Sequence, residues 1–140
     1  ISTEGAGDSG QVLARLEMPE PKTGEEIELP LEKLSTKKGT SAVYQLRFPK
    51  IGRYELVFRM SSTLGELAQL PISVFLNNTL QQTVTLNGTE GQTMERVVTL
   101  PIRQDDEKYM KLYFGESGID MHRMFLRYVG QNDIESFRNE

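Results

Sequence analysis

Apolar and polar side chains alternate with a period of two along most of this chain. The pattern is clear in residues 44–48, which read YQLRF, and it resumes in residues 54–60, which read YELVFRM. A two-residue period places apolar side chains on one face of a β-strand and polar side chains on the other. The short break between these segments contains Pro49 and Gly52, and it predicts a turn that joins two antiparallel strands as a hairpin.

The same alternation recurs at regular spacing towards the end of the chain. Further strands are predicted over residues 72–76, 80–86, 94–100, 108–114 and 119–128, with weaker candidates over residues 11–17 and 26–34. The pairs Asn77-Asn78 and Asn87-Gly88 mark turns between them. Many short strands and no long helical pattern predict an all-β antiparallel sandwich of the jelly-roll type, in which each sheet covers the apolar face of the other.

The ends of the chain and one internal segment lack this alternation. Residues 1–10 are small, polar and glycine-rich, so they predict a flexible linker before a sandwich domain over residues 11–130 and a tail over residues 131–140. Residues 62–70 contain Gly65 and are too short for a stable helix. We interpret them as a loop that packs Leu64 and Leu67 against one end of the sandwich.

Composition excludes several classes of protein. The 140 residues are 37% hydrophobic and 26% charged, as in an ordinary globular domain, and no apolar run approaches the ~20 residues that a membrane helix needs. A net charge of −4 without a basic cluster argues against binding to nucleic acid. The absence of cysteine excludes disulfides and thiolate-bound metals.

Catalytic motifs are also missing from the sequence. It contains no Gly-x-Ser-x-Gly turn, no phosphate-binding loop and no histidine-based metal motif. A Ser-His-Asp arrangement would have to use the single histidine, His122, whose neighbours Met121 and Met124 predict a bend in a core-facing strand. The sequence therefore predicts a protein that binds or supports something and is not itself an enzyme.

One long segment is similar to a known family. Residues 39–62 read GTSAVYQLRFPKIGRYELVFRMSS and resemble galactose-binding-like carbohydrate-binding modules, especially families 6 and 35. In those modules a strand ending in Pro is followed by a Gly-x-Tyr turn and an Arg-bearing strand, and Gly52, Tyr54 and Arg59 fit. Residues 89–99 and 110–126 resemble later strands of the family. The resemblance implies a jelly-roll module of a larger glycan-degrading or cell-surface protein, located in the periplasm, at the cell surface or outside the cell.

The resemblance also implies a sugar site at the loop end of the sandwich. Its residues here are Lys37, Lys38, Gln92, Glu95 and Asp120. Gln92 and Glu95 stand where the family usually has tryptophans, and Asp120 stands where it often has an asparagine that hydrogen-bonds the sugar. The site is therefore expected to be polar, with an acceptor in place of an amide donor at position 120.

The resemblance leaves the presence of a structural calcium ion open. Calcium takes several oxygen ligands. Glu17 matches the first acidic ligand of the family, whereas His122 stands at a position that is acidic there. The sequence indicates no other cofactor.

A second candidate surface follows from the alternation in residues 108–114. If Met110, Leu112 and Phe114 face the core, Tyr109 and Tyr113 must face outward, four residues and about 13 Å apart along the strand. With Lys111 between them, or with Phe75 if its strand is a neighbour, they predict a strip suited to sugar stacking or protein docking.

Two functions remain open at this point. The first is a noncatalytic carbohydrate-binding module that binds a polysaccharide or oligosaccharide. The second is a structural sandwich that packs against a neighbouring domain or subunit of the parent protein and binds no sugar. The missing tryptophans favour the second function, and the repeated use of this architecture beside glycan-active domains favours the first.

Overall fold

Two β-sheets packed face to face make up the computed structural model, which describes residues 12–103 and 107–130. The strands are β1 (Val12–Glu17), β2 (Glu26–Glu28), β3 (Ser41–Arg47), β4 (Gly52–Ser61), β5 (Gln69–Leu76), β6 (Thr79–Asn87), β7 (Met94–Ile102), β8 (Glu107–Phe114) and β9 (Asp120–Gly130). One sheet has the order β1-β3-β8-β5-β6 and the other β2-β9-β4-β7. The described residues contain no helix, and so none that could span a membrane. The predicted all-β sandwich is confirmed.

Three of the sequence predictions concern residues outside these ranges. The linker over residues 1–10 and the tail over residues 131–140 lie outside the described residues, as does the first residue of the predicted domain. Those boundaries stay predictions.

The core lies between the sheets and consists of the inward-facing alternate side chains. From the five-stranded sheet, Leu46 and Leu112 are fully buried, and from the four-stranded sheet, Leu56 and Leu126 are fully buried. Burial of each such side chain contributes about 1.5–3 kcal/mol relative to exposure to water. Because every strand presents its apolar alternates to the same interior, this core fixes which way each strand faces.

The predicted hairpin between residues 44–48 and 54–60 is wrong. β3 lies in the five-stranded sheet and β4 in the four-stranded sheet, so residues 48–51 cross between the sheets. Phe48 and Tyr54, on either side of the crossing, meet edge-to-face with 4.9 Å between ring centroids, and both are fully buried. The Tyr54 hydroxyl donates a hydrogen bond to the Lys50 carbonyl at 2.8 Å. Burying both rings in one core favours the crossing over a hairpin.

The sheets also differ from a purely antiparallel arrangement. β1 runs parallel to β3, with Val12 opposite Val43 and Glu17 opposite Arg47. The chain leaves β1, contributes β2 to the other sheet and returns to β3 in the original direction, which makes the pair parallel. β2 itself is shorter than the strand predicted over residues 26–34.

The turn predicted at Asn77-Asn78 is confirmed. Both asparagines have positive φ angles, 48° and 68°, as the tight turn between β5 and β6 requires. The side-chain oxygen of Asn77 accepts a hydrogen bond from the Tyr109 backbone N–H at 2.9 Å, which ties the turn to β8. The turn predicted at Asn87-Gly88 lies further along the chain: β6 ends at Asn87, and the turn is at Glu90 and Gly91, whose φ angles are 52° and 92°.

The loop between β4 and β5 packs less than the sequence indicated. Leu64 is 42% exposed and Leu67 is 94% exposed, so the prediction that both pack against the sandwich is wrong for Leu67. Leu64 does reach the neighbouring loop, since a Cβ added to Gly118 would lie 2.7 Å from its δ-methyl group.

Gly52 is the residue through which the chain enters β4, and we expect its replacement to be costly. Its φ of 144° favours glycine, and an added Cβ would lie 2.6 Å from the Tyr128 ring. Gly52→Ala should lower the free energy of unfolding by about 1–3 kcal/mol in urea titrations. Gly65→Ala, where an added Cβ meets nothing within 4 Å, is the control. Equal stability of the two variants would contradict the account of the crossing.

Alkaline pH should destabilise the sandwich through its buried tyrosines. Burial, with a smaller contribution from Glu32, raises the pKa of Tyr44 from 10.0 to about 12, and burial also raises the pKa of Tyr54 and Tyr128. Because the folded-state pKa lies above the unfolded value, the protonated side chain stabilises the fold below pH 10. This contribution to stability is lost as the pH rises towards 12. Urea titrations should show Tyr44→Phe weakening this decline by about 2 kcal/mol. Stability that stays constant through this range would contradict the prediction.

Candidate functional site

Four loops meet at the end of the sandwich where β3 begins and β4 ends. They comprise residues 35–40, 62–68, 88–93 and 115–119. The Lys38 N–H donates to the Ser117 hydroxyl at 2.8 Å, which joins the first loop to the last. The Gly91 N–H donates to the Ser62 carbonyl at 2.8 Å, which joins the second and third loops. With the Leu64–Gly118 contact, these bonds order the loops in a continuous row.

Lys37, Lys38 and Asp120 lie on one side of this row. Lys38 forms an ion pair with Glu116, with 3.7 Å between Nζ and Oε2. Asp120 is the first residue of β9 and stands opposite Ser61, the last residue of β4. These predicted site residues are therefore close to the loop end: the two lysines lie on the loop over residues 35–40, and Asp120 directly follows the loop over residues 115–119.

Gln92 lies on the other side, at a polar cleft of about 560 Å³. The cleft is bordered by the loop over residues 88–93, by the loop over residues 62–68 and by the start of β7. Its lining residues are Glu66, Asn87, Gly88, Thr89, Glu90, Gln92, Met94 and Arg96. The loop over residues 62–68 separates this cleft from Lys37 and Lys38. The five residues that the resemblance implied therefore do not form one site.

Glu95 points away from the cleft although it is only three residues from Gln92. It lies on β7, on the outer face of the four-stranded sheet, where its carboxylate pairs with Arg59 at 3.1 Å. Gln92 precedes the strand and remains in the loop, with its N–H donating to the Thr89 carbonyl at 3.0 Å.

Thr89, a lining residue of the cleft, ties its loop to the buried Ser62, which directly follows β4. Its hydroxyl accepts a hydrogen bond from the Ser62 N–H at 2.9 Å and donates one to the Ser62 carbonyl at 3.0 Å. Ser62 is fully buried, so water does not readily replace these bonds. The cleft is therefore built on a fixed support.

Sequence reasoning missed the charged residues of the cleft, namely Glu66, Glu90 and Arg96. The two glutamates stand in loops beside Gly65 and Gly91, where charge normally signals only exposure to solvent. Arg96 is a residue of β7, and nothing in the local sequence indicates a further role. Its Nε donates to the Thr85 carbonyl of β6 at 3.3 Å and so links the edges of the two sheets. Contacts between strands that are distant in sequence create this site, and no local sequence pattern predicts those contacts.

His122 lies on a strand irregularity, as the sequence predicted. The β4–β9 register shifts between Arg59 and Met60, which leaves His122 outside the regular pairing. Its side chain is exposed and its Nε2 lies 2.7 Å from the Ser61 hydroxyl. The geometry is that of a surface histidine at a bend.

The residues carried over for calcium do not fit a shared site. Glu17 ends β1 beside Arg47, whereas His122 lies near the start of β9 at the loop end. β3 separates these ends by seven residues, or about 20 Å. Among the described residues, no group of three or more His, Cys, Asp or Glu side chains is arranged to hold a metal ion.

The aromatic strip is confirmed as an outward-facing feature of the five-stranded sheet. Tyr109, Lys111 and Tyr113 alternate with the buried core residues of β8, and Tyr113 is 42% exposed. β5 is a neighbour, with Phe75 opposite Lys111 and the Lys111 ammonium 4.9 Å from its ring centroid. Leu80 on β6, 54% exposed, extends the strip to the sheet edge.

On the outer face of the four-stranded sheet, charged side chains pair with one another and cover an aromatic ring. Arg123 pairs with Glu26 and Glu28, and its guanidinium lies 4.0 Å from the ring centroid of Phe125, which is 2% exposed. The hydrogen bonds that Arg123 donates to the carboxylates of Glu28 and Glu26 raise the pKa of Arg123. This face therefore offers no free aromatic ring at Phe125.

No protein-family model matches the chain. Among curated proteins, a β-glucosidase of Ruminococcus albus is 26% identical over 104 residues, which is 74% of this chain and 11% of the relative. The chain thus spans about a tenth of the length of that relative.

Solved structures share the sandwich. A family 35 carbohydrate-binding module from Clostridium thermocellum has a TM-score of 0.55 and 13% identity, covering 72% of this chain and 86% of its own. A family 6 module from Cellvibrio mixtus lichenase, solved with cellotriose, has a TM-score of 0.52 and 12% identity, covering 76% and 88%. The C-terminal family 6 module of a laminarinase from Zobellia galactanivorans scores 0.52 at 17% identity. The likeness to families 6 and 35 is confirmed at the level of the fold.

The Thr89–Ser62 bonds provide a test of how the cleft is held. Thr89→Val keeps the shape of the side chain but removes both hydrogen bonds, so we expect a loss of about 1–3 kcal/mol in the free energy of unfolding. Thr83→Val is the matched control, because the hydroxyl of Thr83 pairs with Ser73 at an exposed position. A Thr89→Val protein as stable as the control would show that the loop is held by other contacts.

Proposed function

We propose that this chain is a noncatalytic carbohydrate-binding module of a larger, extracytoplasmic glycan-degrading protein. The observation that carries the proposal is the shared fold, which covers 72% of this chain and 86% of a family 35 module. The match to a stretch amounting to 11% of a β-glucosidase supports attachment to a glycoside hydrolase. In that setting the module raises the concentration of glycan near a catalytic domain.

The cleft at the loop end has the chemistry for the sugar. Glu66, Glu90 and Gln92 place carboxylate and amide groups at its wall, and these groups hydrogen-bond to sugar hydroxyls. Met94, 40% exposed, supplies an apolar contact for the C–H face of a ring. Without an aromatic platform the affinity is expected to be low, on the order of millimolar, or about 4 kcal/mol.

A second candidate rests on the aromatic strip. Tyr113, Phe75 and Leu80 form an apolar surface on the outside of the five-stranded sheet, and such surfaces frequently pack against another domain. In this role the sandwich would support its parent protein and bind no sugar. It predicts that Tyr113 is buried in the full-length protein.

Sugar binding at the cleft is tested by titration calorimetry with a panel of neutral plant and host oligosaccharides. We expect at least one ligand to bind at millimolar concentration, and Gln92→Ala to weaken it by about three- to tenfold through lost hydrogen bonds. Glu95→Gln is the matched control, because Glu95 pairs with Arg59 outside the cleft and should leave affinity unchanged.

Two outcomes would contradict the proposal in different ways. Silence across the panel would remove carbohydrate binding and favour the structural role. Binding that survives Gln92→Ala but is lost in Tyr113→Ala would keep the function and move the site to the aromatic strip.

A further inference from the structure

We propose that the cleft selects glycans by charge, accepting uncharged sugars and rejecting uronic acids through Glu66 and Glu90. This inference rests on the proposed function, since it concerns the ligand class of the same cleft. It makes the two glutamates specificity-determining residues.

The charges that line the cleft do not balance. Its lining includes two acidic residues, Glu66 and Glu90, and one basic residue, Arg96, and the other polar lining residues are uncharged: Asn87, Thr89 and Gln92. The lining therefore carries a net charge of −1, from two negative groups and one positive group. Among the residues that the structure describes, no lysine lines the cleft.

Arg96 is partly committed to the protein backbone. Its Nε donates to the Thr85 carbonyl at 3.3 Å and its Nη1 donates to the Glu95 carbonyl at 2.9 Å. These bonds hold the guanidinium against the junction of β6 and β7. A carboxylate on the sugar would have to share a side chain that is already positioned for another purpose.

Two charged residues of the loop end and of its neighbouring strand are paired with opposite charges. The Glu95 carboxylate is neutralised by Arg59 on the outer face of the sheet. Lys38 pairs with Glu116 at 3.7 Å and lies on the far side of the loop over residues 62–68. Glu66 and Glu90 are therefore the acidic residues that an incoming sugar meets in the cleft.

The physical consequence is a modest, salt-sensitive discrimination. One unit charge about 4 Å from another changes affinity about fivefold in water. At 1 M ionic strength the Debye length is about 3 Å, so added salt screens most of this interaction. An uncharged sugar has no such term and keeps its affinity as salt rises.

The experiment compares neutral oligosaccharides with their uronate counterparts of the same length and linkage, using calorimetry at low and high salt. Suitable pairs are cellohexaose with its C6-oxidised form and mannohexaose with hexamannuronate. For the wild-type chain we expect the neutral member to bind about fivefold or more tightly, with a gap that closes at high salt.

The variant Glu66→Gln/Glu90→Gln removes both charges and keeps hydrogen-bonding groups in place. It should bring uronate affinity up to neutral affinity at low salt. Glu17→Gln/Glu20→Gln, which changes the net charge equally at exposed positions outside the cleft lining, should leave the gap intact.

Each remaining outcome overturns a different statement. Uronates that bind wild type as tightly as neutral sugars would overturn the charge selection while leaving the proposed function standing. A gap that both double variants preserve would show that Glu66 and Glu90 are not its cause. Failure of every sugar to bind would overturn the proposed function and this inference together.

Discussion

Each sheet of this protein has one apolar face, and each can remove that face from water only by packing on the other. The requirement explains why the chain crosses between sheets at residues 48–51. Phe48, Tyr54 and Tyr128 form an edge-to-face series there, with 4.9 and 5.0 Å between successive ring centroids. Gly52 permits the close approach of Tyr128. The crossing fixes which sheet receives β4, and β4 in turn positions the loops at the opposite end.

The two outer faces and the loop end then divide the surface into parts with different chemistry. The outer face of the four-stranded sheet satisfies its own charges above Phe125. The outer face of the five-stranded sheet leaves Tyr113 and Leu80 exposed. The loop end combines a backbone fixed through Thr89 with the exposed polar groups of the cleft. The loop end has hydrogen-bonding groups at the rim of a concavity, which is the property that a sugar requires.

The sequence was sufficient for the strands and insufficient for their pairing. Alternation located β3 and β4 correctly, but a hairpin and a crossing between sheets give the same alternation, so the hairpin prediction failed. The parallel pairing of β1 and β3 depends on the path through β2, which no local pattern encodes. The sequence predicted the candidate site less completely than the strands. Gln92 reached a cleft, Glu95 did not, and Glu66 came from a loop whose position is set by contacts with residues more than twenty positions away.

The central claim is that a polar cleft on a fixed loop end binds an uncharged glycan. Backbone amide NMR tests it most directly, by titrating a labelled sample with the neutral oligosaccharides and mapping the shifted resonances. The account predicts that the shifts cluster at Glu66, Gln92 and Arg96 and spare β8. Shifts centred on Tyr113 and Leu80, or a spectrum that no glycan changes, would contradict it.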